Sequence, residues 1–539
     1  MARSAHRGEG GSVAILPIGI GARLCRGLRF KDRILDGVRG RDEVRFTKFV
    51  VAGLLAVFTL PANAADRAKI AAAVPEIDRI FERFQKESHA PGLVYGIVAD
   101  GQLVHVKGFG VQDLGAKRPV TADSLFRIAS MSKAFTALAI LKLRDEGKLS
   151  LDALAETYVP ELKAWKYPTA DSPRIRVRDL LSHAGGFVTD DPWGDRQQVI
   201  SEAEFTAMLK TGVPYTRAPQ TAFEYSNFGY ALLGRIVTNV SGLPYDQYIA
   251  RTIQRPLGMT STSYDVPASP MERRAIGYRW ENDAWAEEPT MRHGVFGAMG
   301  GVQTSANDYA RWMGFLLSAW PPRDDREAGP VKRATLREMA LGSNFARLRQ
   351  RFGSTPVTQA AAYGMGLIAA EDPDLGNTLS HGGGYPGYGS HMLLLTDQGV
   401  GIFVFSNRTY NGGSGAAWDA AVALHRAGAI PKRTLPVSAA LTAGYRAAGA
   451  MFGAGSVEPA RAQLAMNFLM DRSADNWARE LKSVKAEVGE CRTESPVTPT
   501  GALAGTFRWQ CDKGALEGQV LLAPTNPATI QAFRYTILR

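Results

Sequence analysis

Apolar positions first recur at helical spacing in Ala71-AAVPEIDRIFERFQKE, which predicts an amphipathic helix from about Ile70. The pattern then changes to strand type in Gly92-LVYGIVAD and Gly101-QLVHVKGFG. Asp100-Gly101 between them is a dipeptide that favours a hairpin turn. A helical stretch begins around Ser130 and carries the apolar run Ala134-FTALAIL. Residues 150–300 are rich in Pro, Gly and Trp, with short helical stretches such as Arg178-DLLSH and Phe228-GYALLGRIVTNVSG. Strand patterns return in Ser390-HMLLLTD and Gly399-VGIFVFSN, a hairpin around Gln398-Gly399, before a helix in Ala416-AWDAAVALHRAG. Strands early and late with helices between them predict one mixed α/β domain whose sheet joins both ends of the sequence.

Ala429-IPKRTLPVS reads as a Pro-containing linker, and a second block follows it. Helical patterns in Leu441-TAGYRAAGAMF, Ala460-RAQLAMNFLM and Ala474-DNWARELKSV precede strand-like pieces around Cys511. The expected organisation is a leader over 1–64, a main domain over 65–428, a linker over 429–436 and a small α+β domain over 437–539. There is no internal repeat. Whether the last block binds a ligand, caps a site or mediates dimerisation is not written in its residues.

The 539 residues are 45% hydrophobic and 21% charged, the balance of an ordinary globular chain. The net charge of +11 is unevenly spread: residues 1–48 contribute +6 and residues 65–539 only +5. No basic run or basic-aromatic stripe stands out in the latter part, which gives no support to nucleic-acid binding. The N-terminal excess belongs to a secretion pattern. Arg45-Phe-Thr-Lys48 is a basic lead-in, Phe49-VVAGLLAVFTL is an apolar stretch of 12, and Pro61-Ala-Asn-Ala64 ends in small residues. Spanning a membrane takes roughly 20 apolar residues, so the expectation is a signal peptide cut after Ala64 and a periplasmic or secreted product. Because such a peptide rarely starts this late, residues 1–44 are expected to reflect a misassigned start. Cys25 lies in that leader. Cys491 and Cys511 remain as a pair that, once exported, could close a loop of about 20 residues, worth roughly 3 kcal/mol. Neither they nor the scattered histidines have metal-ligand spacing, and no cofactor is implied.

Ser130-Met-Ser-Lys133 carries the first chemical signal. One helical turn separates a hydroxyl from an amine, so both side chains leave the same face. A serine needs a base to become a nucleophile, and a lysine serves only where burial or nearby positive charge depresses its pKa. The following apolar run would supply a dry wall. Two further segments extend the pattern. Tyr225-Ser226-Asn227 offers a phenol that can act as base and an amide that can grip a substrate carbonyl. His381-Gly-Gly-Gly384 stands just before the late hairpin, where glycines let a substrate backbone lie close and an N–H can point into an oxyanion hole.

In this order and spacing the three segments resemble the serine β-lactamase and penicillin-binding-protein superfamily, and within it the class C β-lactamase-like serine hydrolases. The resemblance covers roughly residues 70–428. It is reinforced by Pro91-Gly92, Asp145-EGKLSLD, Val177-RDLLSHAGG, Gly300-GVQTSANDYARW and Tyr363-GMGL. It implies a central antiparallel sheet flanked by helices, together with an all-helical lobe. It also implies roles: Ser130 as the acylated nucleophile, and Lys133 and Tyr225 sharing its proton. Asn227, His381 and Gly383 would bind substrate, and the N–H groups of Ser130 and Gly384 would form the oxyanion hole. Water would then attack the acyl-enzyme with help from Tyr225. A Gly-x-Ser-x-Gly elbow of the α/β-hydrolase kind is absent.

His381 stands where class C β-lactamases carry lysine. With an unperturbed pKa of about 6.5, histidine is mostly neutral near pH 7 and offers a substrate carboxylate no permanent cation. The expected activity is therefore that of an esterase or D-amino-acid-directed peptidase, with slow or no penicillin turnover. The alternatives are a weak β-lactamase or DD-peptidase and a non-catalytic sensor of cell-wall peptides. Substrate choice is expected to rest on loops between residues 155 and 390, including Trp193, Trp280, Trp285 and Tyr385.

Overall fold

The computed structural model describes residues 65–189, 192–433 and 435–539. The expected leader, its cleavage site and Cys25 lie outside them. No described helix is long and apolar enough to cross a membrane.

The first helix, α1 (Arg67–Glu87), is capped by Asp66, whose carboxylate accepts the N–H groups of Ala68 and Lys69. It buries Ile70, Ala73, Ile77 and Phe81, one stripe along its length. The hairpin follows as β1 (Gly92–Ala99) and β2 (Gln102–Asp113), with a short β3 (Arg118–Pro119). After the helical region come β4 (Asn344–Gln350), β5 (Thr358–Tyr363), β6 (Ile368–Asp372), β7 (Gly376–Tyr385), β8 (Tyr388–Leu395) and β9 (Val400–Ser406). These make one nine-stranded sheet in the order β3-β2-β1-β9-β8-β7-β6-β5-β4. Its main ladders are antiparallel, including that between β1 and β9, which joins Leu93 to Ser406 and Ala99 to Val400.

β1 is buried on both faces, and its side chains divide with the strand period of two. Leu93, Tyr95, Ile97 and Ala99 join a core with α1 and with α5 (Ser414–Arg426). Val94 and Val98 face the other way, into the larger core of the helical lobe. That lobe is built on α2 (Lys133–Asp145), α3 (Asn227–Ser241) and α4 (Ala306–Leu317), with shorter helices between them. The Ser130, Tyr225 and His381 segments lie where this lobe meets the sheet.

Three strands, β4 to β6, stand where the sequence pattern shows none. Thr-Gln-Ala-Ala-Ala-Tyr in β5 and Ile-Ala-Ala-Glu-Asp in β6 carry a single β-branched residue each, at the first position, followed by alanines with little strand preference. They are held by ladder pairing and by a buried ion pair between Arg351 and Asp372 at 3.0 Å.

The C-terminal block has a core of its own. Helices α6 (Ala439–Ala454) and α7 (Ala474–Val488), capped by Ser438 and Ser473, pack with a four-stranded antiparallel sheet. Its strands are β10 (Thr498–Pro499), β11 (Ala504–Cys511), β12 (Gly514–Ala523) and β13 (Thr529–Leu538). Cys491 and Cys511 are disulfide-bonded. One expected helix is corrected: Ala460-RAQLAMNFLM is not continuous. A 3₁₀ turn at Glu458–Gln463 and a single turn at Phe468–Asp471 are separated by an extended stretch. There the Ala465 N–H donates to the Ile530 carbonyl at 2.9 Å, so pairing with β13 overrides the helical pattern.

Candidate active site

The tetrapeptide sits one step earlier than a helix start. Ser130 lies in a 3₁₀ turn, Ala129–Ser132, and Lys133 is the first residue of α2. Ala129 adopts φ +48°, a left-handed conformation that a non-glycine residue holds only at a cost, immediately ahead of the serine. Two contacts fasten the turn from the side. Val302 donates its N–H to Ser132 Oγ at 3.0 Å, and Ser390 Oγ donates to the Ile128 carbonyl at 2.8 Å.

Lys133 is fully buried. Its Nζ donates to Ser130 Oγ at 3.1 Å, to Asn227 Oδ1 at 2.8 Å and to the Met299 carbonyl at 3.0 Å. The Tyr225 ring centroid is 4.8 Å from Nζ and that of Tyr230 is 5.4 Å away. The buried run Ala134–Leu141 supplies the dry wall. Asn227 is the first residue of α3, and Ser226 caps that helix by accepting the Gly229 N–H at 3.0 Å. The cap thus fixes the residue between the tyrosine and the asparagine.

The glycine triplet lies on β7. Thr396 donates its N–H to the Asn377 carbonyl, and the register with β8 runs without a break to Tyr385 opposite Tyr388. Alternation along an antiparallel ladder then turns the backbone groups of odd-numbered β7 residues toward β8 and those of Gly382 and Gly384 the other way. β6 pairs that other side only as far as Ser380. The N–H of Gly384 therefore lies on an edge that β6 leaves uncovered. Gly383 presses on the Ser130 turn: a Cβ there would stand 2.2 Å from the Ile128 carbonyl oxygen. Ser130, Lys133, Tyr225, Asn227, His381, Gly383 and Gly384 are thus drawn into one neighbourhood from the far ends of the main domain, while Cys491 and Cys511 belong to the C-terminal core.

His381 is buried and both its ring nitrogens are engaged. Nδ1 lies 2.6 Å from the Gly382 carbonyl, which can only accept, so Nδ1 carries the proton. Nε2 then accepts the Tyr363 hydroxyl at 3.0 Å. Burial, reinforced by the Lys133 charge, brings its pKa down to about 4.

Two residues without a role in the sequence reading complete the wall. His183 is buried, and its Nδ1 accepts the Ser226 N–H at 3.0 Å while its carbonyl accepts the Glu224 N–H at 2.9 Å. Its ring lies 4.3 Å from Tyr225 and 4.4 Å from Tyr363. Burial, then the charge of Lys133, holds its pKa well below the usual histidine range. Both residues sit in segments that carry the family resemblance, Val177-RDLLSHAGG and Tyr363-GMGL, but nothing in one sequence says which of their side chains matters.

The aromatic residues expected to shape specificity divide. Trp193 packs near Phe228 at 5.9 Å. Trp280 stacks on His89 at 4.4 Å, and Trp285 donates its indole N–H to the His89 carbonyl. Tyr385 is buried beneath the Arg127 guanidinium. Among the described residues no His, Cys, Asp or Glu cluster suits a metal ion.

Protein flp from Staphylococcus aureus (strain N315) is 30% identical over 340 residues, a match that spans 62% of this chain and 62% of that relative. The octameric penicillin-binding protein homologue from Pyrococcus abyssi superposes with a TM-score of 0.53 at 20% identity, over 86% of this chain and 99% of its own. A class C β-lactamase gives a TM-score of 0.53 at 21% identity, over 66% and 97%. These likenesses show the shared fold. The family described as Beta-lactamase matches residues 77–427, a stretch that contains the serine turn, the Tyr-x-Asn loop and the glycine strand, and the chain belongs to that family.

Proposed function

We propose that this chain is a serine hydrolase that forms an acyl-enzyme on Ser130, with small esters or D-amino-acid amides as acyl donors. The observation that carries the reading is the buried Lys133 amine, bonded at once to Ser130 Oγ and Asn227 Oδ1. Asn227 Oδ1 and the Met299 carbonyl can only accept, so each takes an N–H from Nζ. The position facing Ser130 then holds either a proton or, in the neutral amine, the lone pair that removes the serine proton. Tyr225 would share that proton and hand it to the leaving group, and later activate the water that releases the acyl group. The N–H groups of Ser130 and Gly384 would hold the developing oxyanion, where losing one donor costs about 3–4 kcal/mol.

His381 supports the choice of substrate. Neutral at pH 7 and committed to Tyr363 and Gly382, it offers no cation to a carboxylate beside the scissile bond. That favours uncharged acyl donors over penicillins. A weak β-lactamase or DD-peptidase is the second reading, because one similar solved structure is a class C β-lactamase in complex with cefoxitin. A cell-wall sensor would share the acylation step without release. The leader pattern over residues 45–64 supports action in the periplasm or outside the cell, where cell-wall-derived peptides are available.

The test is labelling by a fluorophosphonate together with turnover of p-nitrophenyl acetate, a D-aminoacyl amide and benzylpenicillin, on wild type and Ser130→Ala. Labelling and ester turnover lost in Ser130→Ala are expected. Persistent labelling without turnover would point to a sensor, and labelling that survives the substitution would remove Ser130 from its role.

A further inference from the structure

Two walls of the site belong to different parts of the fold. The loop of Tyr225 and Asn227 opens α3 in the helical lobe, and Gly382 to Gly384 lie on strand β7 of the sheet. An acyl-transfer site needs the base and the oxyanion donors in fixed mutual geometry, and misplacement by about 1 Å can cost about 100-fold in rate. Between the walls runs a continuous chain of contacts, buried at His183, Tyr363 and His381. The Glu224 N–H donates to the His183 carbonyl, and the Ser226 N–H donates to His183 Nδ1. The His183 ring then meets Tyr363 edge-on at 4.4 Å. Tyr363, at the end of β5, donates its hydroxyl to His381 Nε2, and His381 in turn donates to the Gly382 carbonyl.

We infer that His183 and Tyr363 are positioning residues, a brace that ties the Tyr225–Asn227 loop to the glycine strand and sets the distance between base and oxyanion edge. The inference rests on the acyl-enzyme reading of Ser130 but concerns groups that do not touch the reacting atoms. Several features suit a brace. His183 grips the residues on either side of Tyr225 and touches that ring itself, so it fixes the tyrosine without occupying its hydroxyl. It holds φ +58°, which aims its carbonyl and its ring at the same loop. The Gly382 carbonyl, which only accepts, sets the proton on His381 Nδ1, and the hydroxyl that Tyr363 donates to Nε2 then holds the ring in that orientation. Burial keeps water from competing for the bonds that His183 Nδ1 and the Tyr363 hydroxyl make.

Three variants of the full chain separate this from a packing role. Tyr363→Phe keeps the ring and removes the hydroxyl. His183→Gly keeps the left-handed backbone and removes ring and acceptor. His183→Asn tolerates that backbone and places an oxygen where Nδ1 stood, so it should restore the bond to Ser226. Two readouts are used: hydrogen exchange of peptides covering 223–228 and 380–386, and steady-state ester kinetics. Tyr363→Phe and His183→Gly are each expected to raise exchange at both walls by about tenfold. They should also lower kcat about 10- to 100-fold with KM within about threefold of wild type, and His183→Asn should recover most of the loss. Exchange that rises at only one wall, or at neither, overturns the brace whatever the kinetics. A wild type that neither turns over ester nor labels at Ser130 would overturn the hydrolase reading instead, and the brace would still be decided by exchange.

Discussion

Gly383→Ala puts the close approach of strand β7 and the Ser130 turn to a quantitative test. The added Cβ would stand 2.2 Å from the Ile128 carbonyl oxygen and 2.2 Å from Ser390 Oγ, each 0.8 Å inside the 3.0 Å that real Cβ atoms keep. Ser390 cannot swing aside freely, because its hydroxyl donates to that same carbonyl at 2.8 Å. Relief must come from backbone, by moving β7 and the Ser130 turn apart by most of an ångström. A displacement of about that size at reacting groups costs about 100-fold, or roughly 3 kcal/mol of transition-state stabilisation. The expected result is a kcat/KM for p-nitrophenyl acetate reduced about 100-fold, mostly in kcat, in a protein that still unfolds cooperatively. Gly382→Ala is the neighbouring comparison. Its Cβ would meet His391 at 3.6 Å, an ordinary contact, and activity should stay within about threefold of wild type. Equal losses in the two variants, or none in either, would refute the reasoning from close approach.

Three further outcomes follow from buried charge and from the C-terminal core. His381 in the folded state takes a proton only near pH 4, whereas in the unfolded chain it does so near its ordinary value of about 6.5. The unfolded state therefore binds more protons between those values, so stability is full above that window and falls as pH drops through it, by roughly 3 kcal/mol for His381 alone. Burial lowers His391 to about 3 as well, so urea unfolding followed from pH 7 downward should show a steep loss that is shallower in His391→Gln. Asp372→Ala strands Arg351, leaving a buried guanidinium with the half-exposed Asp374 and the oxygens of Thr355 as its remaining partners, and should cost about 3–5 kcal/mol in urea unfolding. Reduction of Cys491–Cys511, or Cys491→Ser, should lower the stability of the C-terminal core by roughly 3 kcal/mol, read by hydrogen exchange over residues 437–539.

What could be read from the sequence tracks what physical pattern writes into it. The β1–β2 hairpin and the β8–β9 hairpin carry apolar strands with turn residues between them, and both form. Helix α3 forms over the helical stretch Phe228-GYALLGRIVTNVSG and ends at Gly242 in a left-handed conformation. Strands β5 and β6 were hidden because alanine-rich segments state no strand preference until neighbours pair with them, and β4, Asn-Phe-Ala-Arg-Leu-Arg-Gln, because it is polar and largely exposed. The Ala460–Met470 stretch misled for the converse reason, since its helical pattern loses to a bond with Ile530. In the site, Ser130, Lys133, Tyr225, Asn227 and the glycine strand were recognisable as short motifs. The Met299 carbonyl was not, because any residue type offers one. Nor were His183 and Tyr363, whose work lies in contacts between segments about 180 residues apart. The engagement of both His381 nitrogens is likewise a property of neighbours rather than of the histidine.

The pairing of β1 with β9 makes the order of synthesis matter. Residues 92–99 emerge about 300 residues before residues 400–406, which they need as partners, and closing a loop of that length costs roughly 5 kcal/mol in chain entropy. Until β9 exists, a strand apolar on both faces has one edge unpaired. Chains interrupted anywhere before about Ser406 would therefore expose a sticky template rather than a smaller stable domain. The fold acts as a test of its own completeness, and a partially made chain depends on being kept apart from its copies until the last strand of the sheet arrives.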